Sequence, residues 1–258
     1  MKKSALVLVA SLGASLVPTF AFADDAASPI TYNIGAVSDY RYRGLTQTKF
    51  EPAVQGGVDY ANGPIYVGTW LSTIEWVKDT GKIAGADSGN APVEWDLYGG
   101  TKGDIIKDSL TYDVGVLAYV YLGEKFHNVG LSNPDTGEFY GALTYGVFTG
   151  KVSISATPLF GVPKSKGSQY YDLSANFDLG SGFSLVPHVG YQKINGSVSK
   201  AAGLSYADYS LTLGKDFGKG ISASLAVIAT DADKNDYFTS SGKFTGRTGV
   251  VAGVKYSF

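Results

Sequence analysis

The chain has two histidines, His127 and His188, and no cysteine. Thiolate nucleophiles, disulfides, iron–sulfur clusters and cysteine-based zinc sites are therefore excluded, and two histidines leave no His-rich metal site. Nucleophilic hydrolysis needs a histidine beside a serine or a carboxylate. His188 meets that need on paper, with Ser184 and Gln192 at its own parity and Asp172 and Ser174 in the preceding segment. A hydrolase built on His188 therefore stands as a second alternative, behind two non-enzymatic readings; His127 falls in a polar connection and reads as solvated. The stretch Asp231-Ala232-Asp233-Lys234-Asn235-Asp236 begins like a calcium loop. It lacks glycine at the sixth place and has Gly242 where a bidentate glutamate belongs. No phosphate-binding G-x-x-x-x-G-K-S/T loop occurs. No cofactor, no metal and no catalytic residue are expected.

The other chemistry is charge. Arg41 and Arg43 lie two apart, and the third and last arginine is Arg247. Lys plus Arg totals 21 against 23 Asp plus Glu, so no basic surface marks a nucleic-acid binder. Three arginines also make no long basic track for anionic oligosaccharides.

The elements that must position these groups follow from composition and periodicity. The chain is rich in Gly and Tyr and has a single Met, a profile of strand and turn formers. Met1-Lys2-Lys3, the apolar run Ser4 to Val17 and Ala21-Phe22-Ala23 read as an export signal over residues 1–23, cleaved before Asp24. No later segment is apolar for the roughly 20 residues a spanning helix needs. From Ile30 onward, apolar residues alternate with polar or small ones in stretches of eight to twelve residues. The first stretch puts Tyr32, Ile34, Ala36, Tyr40 and Tyr42 on one face, against Thr31, Asn33, Asp39, Arg41 and Arg43. The last puts Val250, Ala252, Val254, Tyr256 and Phe258 against Gly249, Val251, Gly253, Lys255 and Ser257. Ten more strands are expected near 53–60, 64–74, 93–100, 109–122, 138–146, 151–159, 169–179, 183–192, 205–216 and 221–230.

Short and long connections alternate between these stretches. Tight links such as Ala61-Asn62-Gly63 and Gly180-Ser181-Gly182 are hairpin chemistry, with about eight residues around Gly103-Asp104 as the loosest of the short set. Long links fall at Glu75–Pro92 and Asp231–Gly246. The expected fold is all-β: a transmembrane antiparallel β-barrel of about twelve strands over residues 24–258, with short periplasmic turns and long extracellular loops. An exported β-sandwich would also alternate. Aromatics at the rims of the apolar faces (Tyr60, Trp95, Tyr112, Tyr145, Phe177, Phe183, Tyr191, Phe217) argue for membrane girdles instead.

Several of these stretches also resemble a family. The run Ser38-Asp39-Tyr40-Arg41-Tyr42-Arg43-Gly44, then Pro52-Ala53-Val54-Gln55-Gly56-Gly57-Val58-Asp59-Tyr60, is followed by Gly68-Thr69-Trp70-Leu71-Ser72, Glu94-Trp95-Asp96-Leu97-Tyr98-Gly99-Gly100 and Tyr112-Asp113-Val114-Gly115-Val116. In this order they resemble the TorF family of proteobacterial outer-membrane porins over about residues 32–121; Tyr121-Leu122-Gly123 departs from the expected Tyr-Pro-Gly ending. The resemblance implies an outer-membrane location and channel activity, and supplies no substrate and no catalytic residues. The final strand, with Tyr256 and the terminal Phe258, resembles the signal read by the barrel-assembly machinery.

Twelve tilted strands give a backbone cylinder about 24 Å across, leaving a bore of about 10 Å if inward side chains are small. The expected lumenal set is Asp39, Arg41, Arg43, Asp59, Glu94, Asp96, Asp113, Asp172, Asp208 and Lys255, together with Asp178. Tyr66, Tyr98, Tyr119, Tyr140 and Tyr170 are expected inside as well. Two roles remain open for Arg41 and Arg43: a constriction opposing Asp96 or Asp113 across water, or a structural network that narrows the barrel. The function expected is passive diffusion of small hydrophilic solutes or ions, with a weak cation preference from the carboxylate excess. The alternative is a closed barrel binding ligands or partners through its outer loops, with Glu75–Pro92 as a candidate plug. Expected partners are outer-membrane lipid and lipopolysaccharide, the assembly machinery and small polar solutes; no nucleic acid is expected.

Overall fold

The structure is a computed structural model that describes residues 28–258, so the export signal expected over residues 1–23 lies outside the described residues. Twelve antiparallel strands close into a barrel. They are β1 (Ile30–Val37), β2 (Ala53–Asn62), β3 (Ile65–Thr73), β4 (Val93–Ile106), β5 (Leu110–Val120) and β6 (Thr136–Tyr145). The chain continues with β7 (Phe148–Ser155), β8 (Gln169–Ala175, resuming at Phe177–Gly180), β9 (Phe183–Lys193), β10 (Tyr206–Gly218), β11 (Ile221–Thr230) and β12 (Gly249–Ser257). Each strand pairs with its neighbours in sequence. The seam is closed by β1 on β12, with Ile34 opposite Tyr256 and Val37 opposite Gly253. Beyond the ladder, Tyr32 and Phe258 exchange backbone hydrogen bonds of 2.8 and 3.0 Å and stack their rings.

Alternation along the strands is inverted relative to a water-soluble sheet. Ile34, Val54, Val67, Val116, Leu173, Leu211, Leu225 and Val254 are exposed on the outer surface. That surface is apolar because its solvent is lipid, and aromatic residues sit at its rims. The shared core lies inside the barrel, in the half that carries the long loops. It consists of Tyr40, Tyr42, Val77, Tyr119, Tyr121 and Phe126 with Trp70, Trp76 and Phe160 packed against them. Among the described residues, no helix is long and apolar enough to cross a membrane.

Five connections are two- or three-residue turns. Ser181-Gly182 and Lys219-Gly220 hold positive φ at both positions, the hairpin geometry whose twist matches that of the strands. The link after β4 is only residues 107–109, shorter than the eight residues expected, because β4 runs on to Ile106. Asp178 pairs with Ser184 on the inward face, at the exposed rim beside the Ser181-Gly182 turn, where it accepts from the Gly180 amide. The other six connections are long, and two carry helices, α1 (Trp76–Ala84) and α2 (Ser197–Ala202).

The first long connection departs from expectation. The first strand ends at Val37, and residues 41–46 form a miniature hairpin, Arg41–Tyr42 against Leu45–Thr46, that turns into the lumen. Its turn, Arg43-Gly44, has positive φ at both positions. Tyr40 and Tyr42 are therefore buried inside the barrel and not on the lipid face. Their parity continues that of Tyr32 and Ile34, so alternation alone does not distinguish a strand that continues from a loop that folds inward.

Candidate functional site

The lumen has two levels. At the loop end the hairpin of residues 38–46 crosses the barrel. Arg43 bonds both oxygens of Glu138 on β6 at 3.0 and 2.8 Å and also bonds Gln192 on β9. Its guanidinium lies 4.2 Å from the Tyr170 ring of β8 and 4.8 Å from that of Tyr42. A bidentate arginine–carboxylate pair stacked on aromatic faces is a rigid anchor. Burial alone would lower the Arg43 pKa; the charge of Glu138 and the nearby phenols override it and hold the group protonated.

Tyr40 and Tyr42 fasten the near side. Tyr40 donates to Glu94 of β4 at 2.6 Å, and Tyr121 donates to the other oxygen of Glu94 at 2.5 Å. Burial and then the negative charge of Glu94 push both phenols well above their usual pKa, so they remain neutral donors. The Tyr42 and Tyr119 hydroxyls meet at 2.6 Å. Arg41 bonds Asp39 at 2.5 Å and reaches the carbonyls of Gly44, Thr245 and Arg247, tying this hairpin to the loop before β12. Asp39, Arg41, Arg43, Glu94, Asp96, Glu138, Gln192 and Asp208 are all buried at this level. An open bore of about 10 Å would leave such groups in water, so the hairpin fills and narrows the lumen here.

Three further contacts lock the plug from outside. Lys49 of the same loop bonds Asp79 of α1 at 2.5 Å, and Asp79 accepts from the Ser240 amide at 2.8 Å. Burial would raise the Asp79 pKa, but the hydrogen bonds from Lys49 and Ser240 outweigh it and hold the carboxyl below its usual range. The second loop also meets the plug loop: the amides of Glu75 and Trp76 donate to the Gln47 carbonyl at 2.8 and 3.1 Å, and Trp76 packs edge-on against Tyr121, Phe126 and Phe160.

Toward the turn end the lumen is different. Small residues line it, and half-buried charges form a belt. Lys102 of β4 faces Asp113 of β5, and Lys151 of β7 faces Asp172 of β8, each as a direct cross-strand pair. Tyr98 donates to Asp59 at 2.6 Å and Tyr66 to Asp113 at 2.5 Å. Lys255 of β12 projects into the same space, and the Lys151 ammonium lies 4.3 Å from the Tyr140 ring. Charges of both signs at partial exposure in a barrel interior require water, because dry burial of such groups is costly.

The ten expected lumenal residues thus all point inward but divide by level. Asp39, Arg41, Arg43, Glu94, Asp96 and Asp208 belong to the plug, whereas Asp59, Asp113, Asp172 and Lys255 belong to the belt. The arginines do not oppose Asp96 or Asp113. They leave the strand with the loop and are taken up by Asp39 and Glu138. Glu138 and Gln192 are the partners that sequence reading missed; both sit at inward parity, Glu138 two residues before Tyr140 and Gln192 four after His188.

His188 sits in a carboxylate-lined set. Its Nε2 lies 2.9 Å from Asp172 and 3.3 Å from the Tyr170 hydroxyl, and its Nδ1 lies 3.6 Å from Asp208. Both nitrogens face carboxylates, so the set ties β8, β9 and β10 together. In the Asp231 stretch, Asp231 accepts from the Ala207 amide of β10, while Asp233 accepts from the Asn235 amide in a local turn.

Residues 23–258 match the family described as "Bacterial protein of unknown function (Gcw_chp)". No curated protein matches the chain. Among solved structures it is similar to the NanC porin, at a TM-score of 0.52 and 10% identity over 89% of this chain and 98% of that one. It is likewise similar to the KdgM porin in complex with disordered oligogalacturonate, at a TM-score of 0.51 and 7% identity over the same shares. At these identities the likeness establishes the porin-type barrel fold.

Proposed function

The chain belongs to the Gcw_chp family, whose description assigns no function, and we propose that it is a porin-type channel of the bacterial outer membrane for small hydrophilic solutes or ions. The resemblance of residues 32–121 to the TorF porins and the export signal over residues 1–23 belong to the same reading. One observation carries it: a belt of half-exposed charges of both signs lines the interior of a lipid-facing barrel, beneath a plug made from one loop. Selectivity in such a passage comes from its radius and its charge rings. Oligogalacturonate, present in the KdgM structure, is a polyanion. Arg41 and Arg43 are neutralised here by Asp39 and Glu138, so these arginines offer no free positive charge to such a ligand. Insertion would use Tyr256 and Phe258 on the seam strand as the assembly signal, with lipopolysaccharide around the outer loops.

The packing of the first loop favours a second reading, a closed barrel that works through its outer loops. Single-channel recording of refolded Asp24–Phe258 in a planar bilayer under a salt gradient separates the two. Discrete steps with a non-zero reversal potential support the channel. A folded, heat-modifiable barrel that stays silent overturns it in favour of the closed barrel.

A further inference from the structure

Among the described residues, Trp76 Nε1, Gln55 Oε1 and Asp96 Oδ1 are buried in the loop half of the barrel without a hydrogen-bond partner, and of these only Asp96 is a carboxylate. Asp96 on β4 is only 8% exposed, and its Oδ1 is buried with no hydrogen-bond partner. Burying a carboxylate oxygen without a donor is costly. The carboxylates around it are already served: Glu94 accepts from Tyr40 and Tyr121, and Glu138 accepts from Arg43 through both oxygens. Neither arginine of the hairpin pairs with Asp96. The register places Trp70 of β3 and Tyr119 of β5 directly across from it on either side. Tyr40 packs edge-on against Trp70, and Tyr42 against Tyr119, so aromatic rings surround the carboxylate.

This surrounding selects among occupants. A divalent cation needs six or more oxygens, and the neighbouring carboxylates are spent. An unpaired carboxylate among aromatic rings suits one positive charge that donates an N–H and lies against π faces. From this geometry we infer that Asp96, Trp70 and Tyr119 form a binding site for the primary ammonium group of a small organic amine, set at the plug of the barrel. The site rests on the channel reading only for its use as a selectivity element; as a binding site it stands without conduction. It makes the passage selective for amines over anions of equal size, a sharper property than the cation preference expected from carboxylate excess.

The test uses the refolded full barrel in detergent, with methylammonium chloride as probe and tryptophan fluorescence as readout. Tetramethylammonium chloride and potassium chloride at equal ionic strength serve as controls. Methylammonium should give a saturable change, and binding should weaken at least about tenfold in Asp96→Asn, the loss that follows removal of a charge-assisted hydrogen bond. Trp70→Phe should remove most of the signal, while heat-modifiable migration shows that each variant is folded. Tetramethylammonium has no N–H and should bind more weakly. No saturation, or an unchanged affinity in Asp96→Asn, overturns the site. Equal binding of potassium overturns the ammonium assignment. In bilayers, a silent barrel that still binds methylammonium overturns the channel and leaves the site standing.

Discussion

At the scale of single residues, Arg43 matters most, because one side chain joins the loop to the far wall at Glu138, Gln192 and Tyr170. Replacing it by alanine leaves Glu138 buried and uncompensated, which costs about 3–5 kcal/mol. Denaturant unfolding in detergent should record that loss, and Arg43→Met with Glu138→Met should recover most of it. Lys49 and Asp79 make a different prediction. The Asp79 pKa is depressed in the folded protein, so its contribution is present above the usual carboxylate pKa and is lost as pH falls through the lower folded value. Protease nicking of residues 38–52 should therefore be flat from neutral pH to about pH 5 and rise only below about pH 4; a rise near pH 6 would contradict the clasp. Lumenal charges were legible in the sequence because inward parity is fixed by the strand. Their partners were not, since Arg43 meets Glu138 across 95 residues of chain, a pairing that no local spacing encodes.

The strands were the most legible elements, and the physical reason is the lipid, which imposes a period of two on one face regardless of what fills the other. Val254 faces outward and Ser224 inward. Val254→Lys should cost about 2–4 kcal/mol at the bilayer midplane, while Ser224→Lys, entering a lumen opposite Gly214 and Gly253, should be tolerated. Equal heat-modifiable yields for the two would refute the facing. The inward hairpin was not legible, because Tyr40 and Tyr42 keep the parity of the strand before them. Gly44 holds its turn: its φ is +80°, and any Cβ there would press on Thr230 and Asp208. Gly44→Ala should undock the hairpin at a cost of about 1–3 kcal/mol, seen as earlier cleavage within residues 38–52 with the strands intact.

For the molecule as a whole, the barrel and its plug are separable, since the plug comes from a connection and the wall from the strands. Replacing residues 39–51 by a short Gly/Ser link should leave a heat-modifiable barrel and raise its single-channel conductance several-fold above that of the intact chain. Unchanged conductance would mean that the belt, not the hairpin, limits flow. The strand count was legible because connections alternate short and long, whereas the state of the lumen was not, because it depends on how loops pack. The seam adds a condition on how the molecule is made. Ile30–Val37 and Gly249–Ser257 meet only after every strand between them has been laid down. Until that moment two unpaired edges face an environment with no water to satisfy them. Assembly is therefore a race between closure and mispairing, in which the final nine-residue strand acts as the latch and any chain lacking it is left as an open sheet.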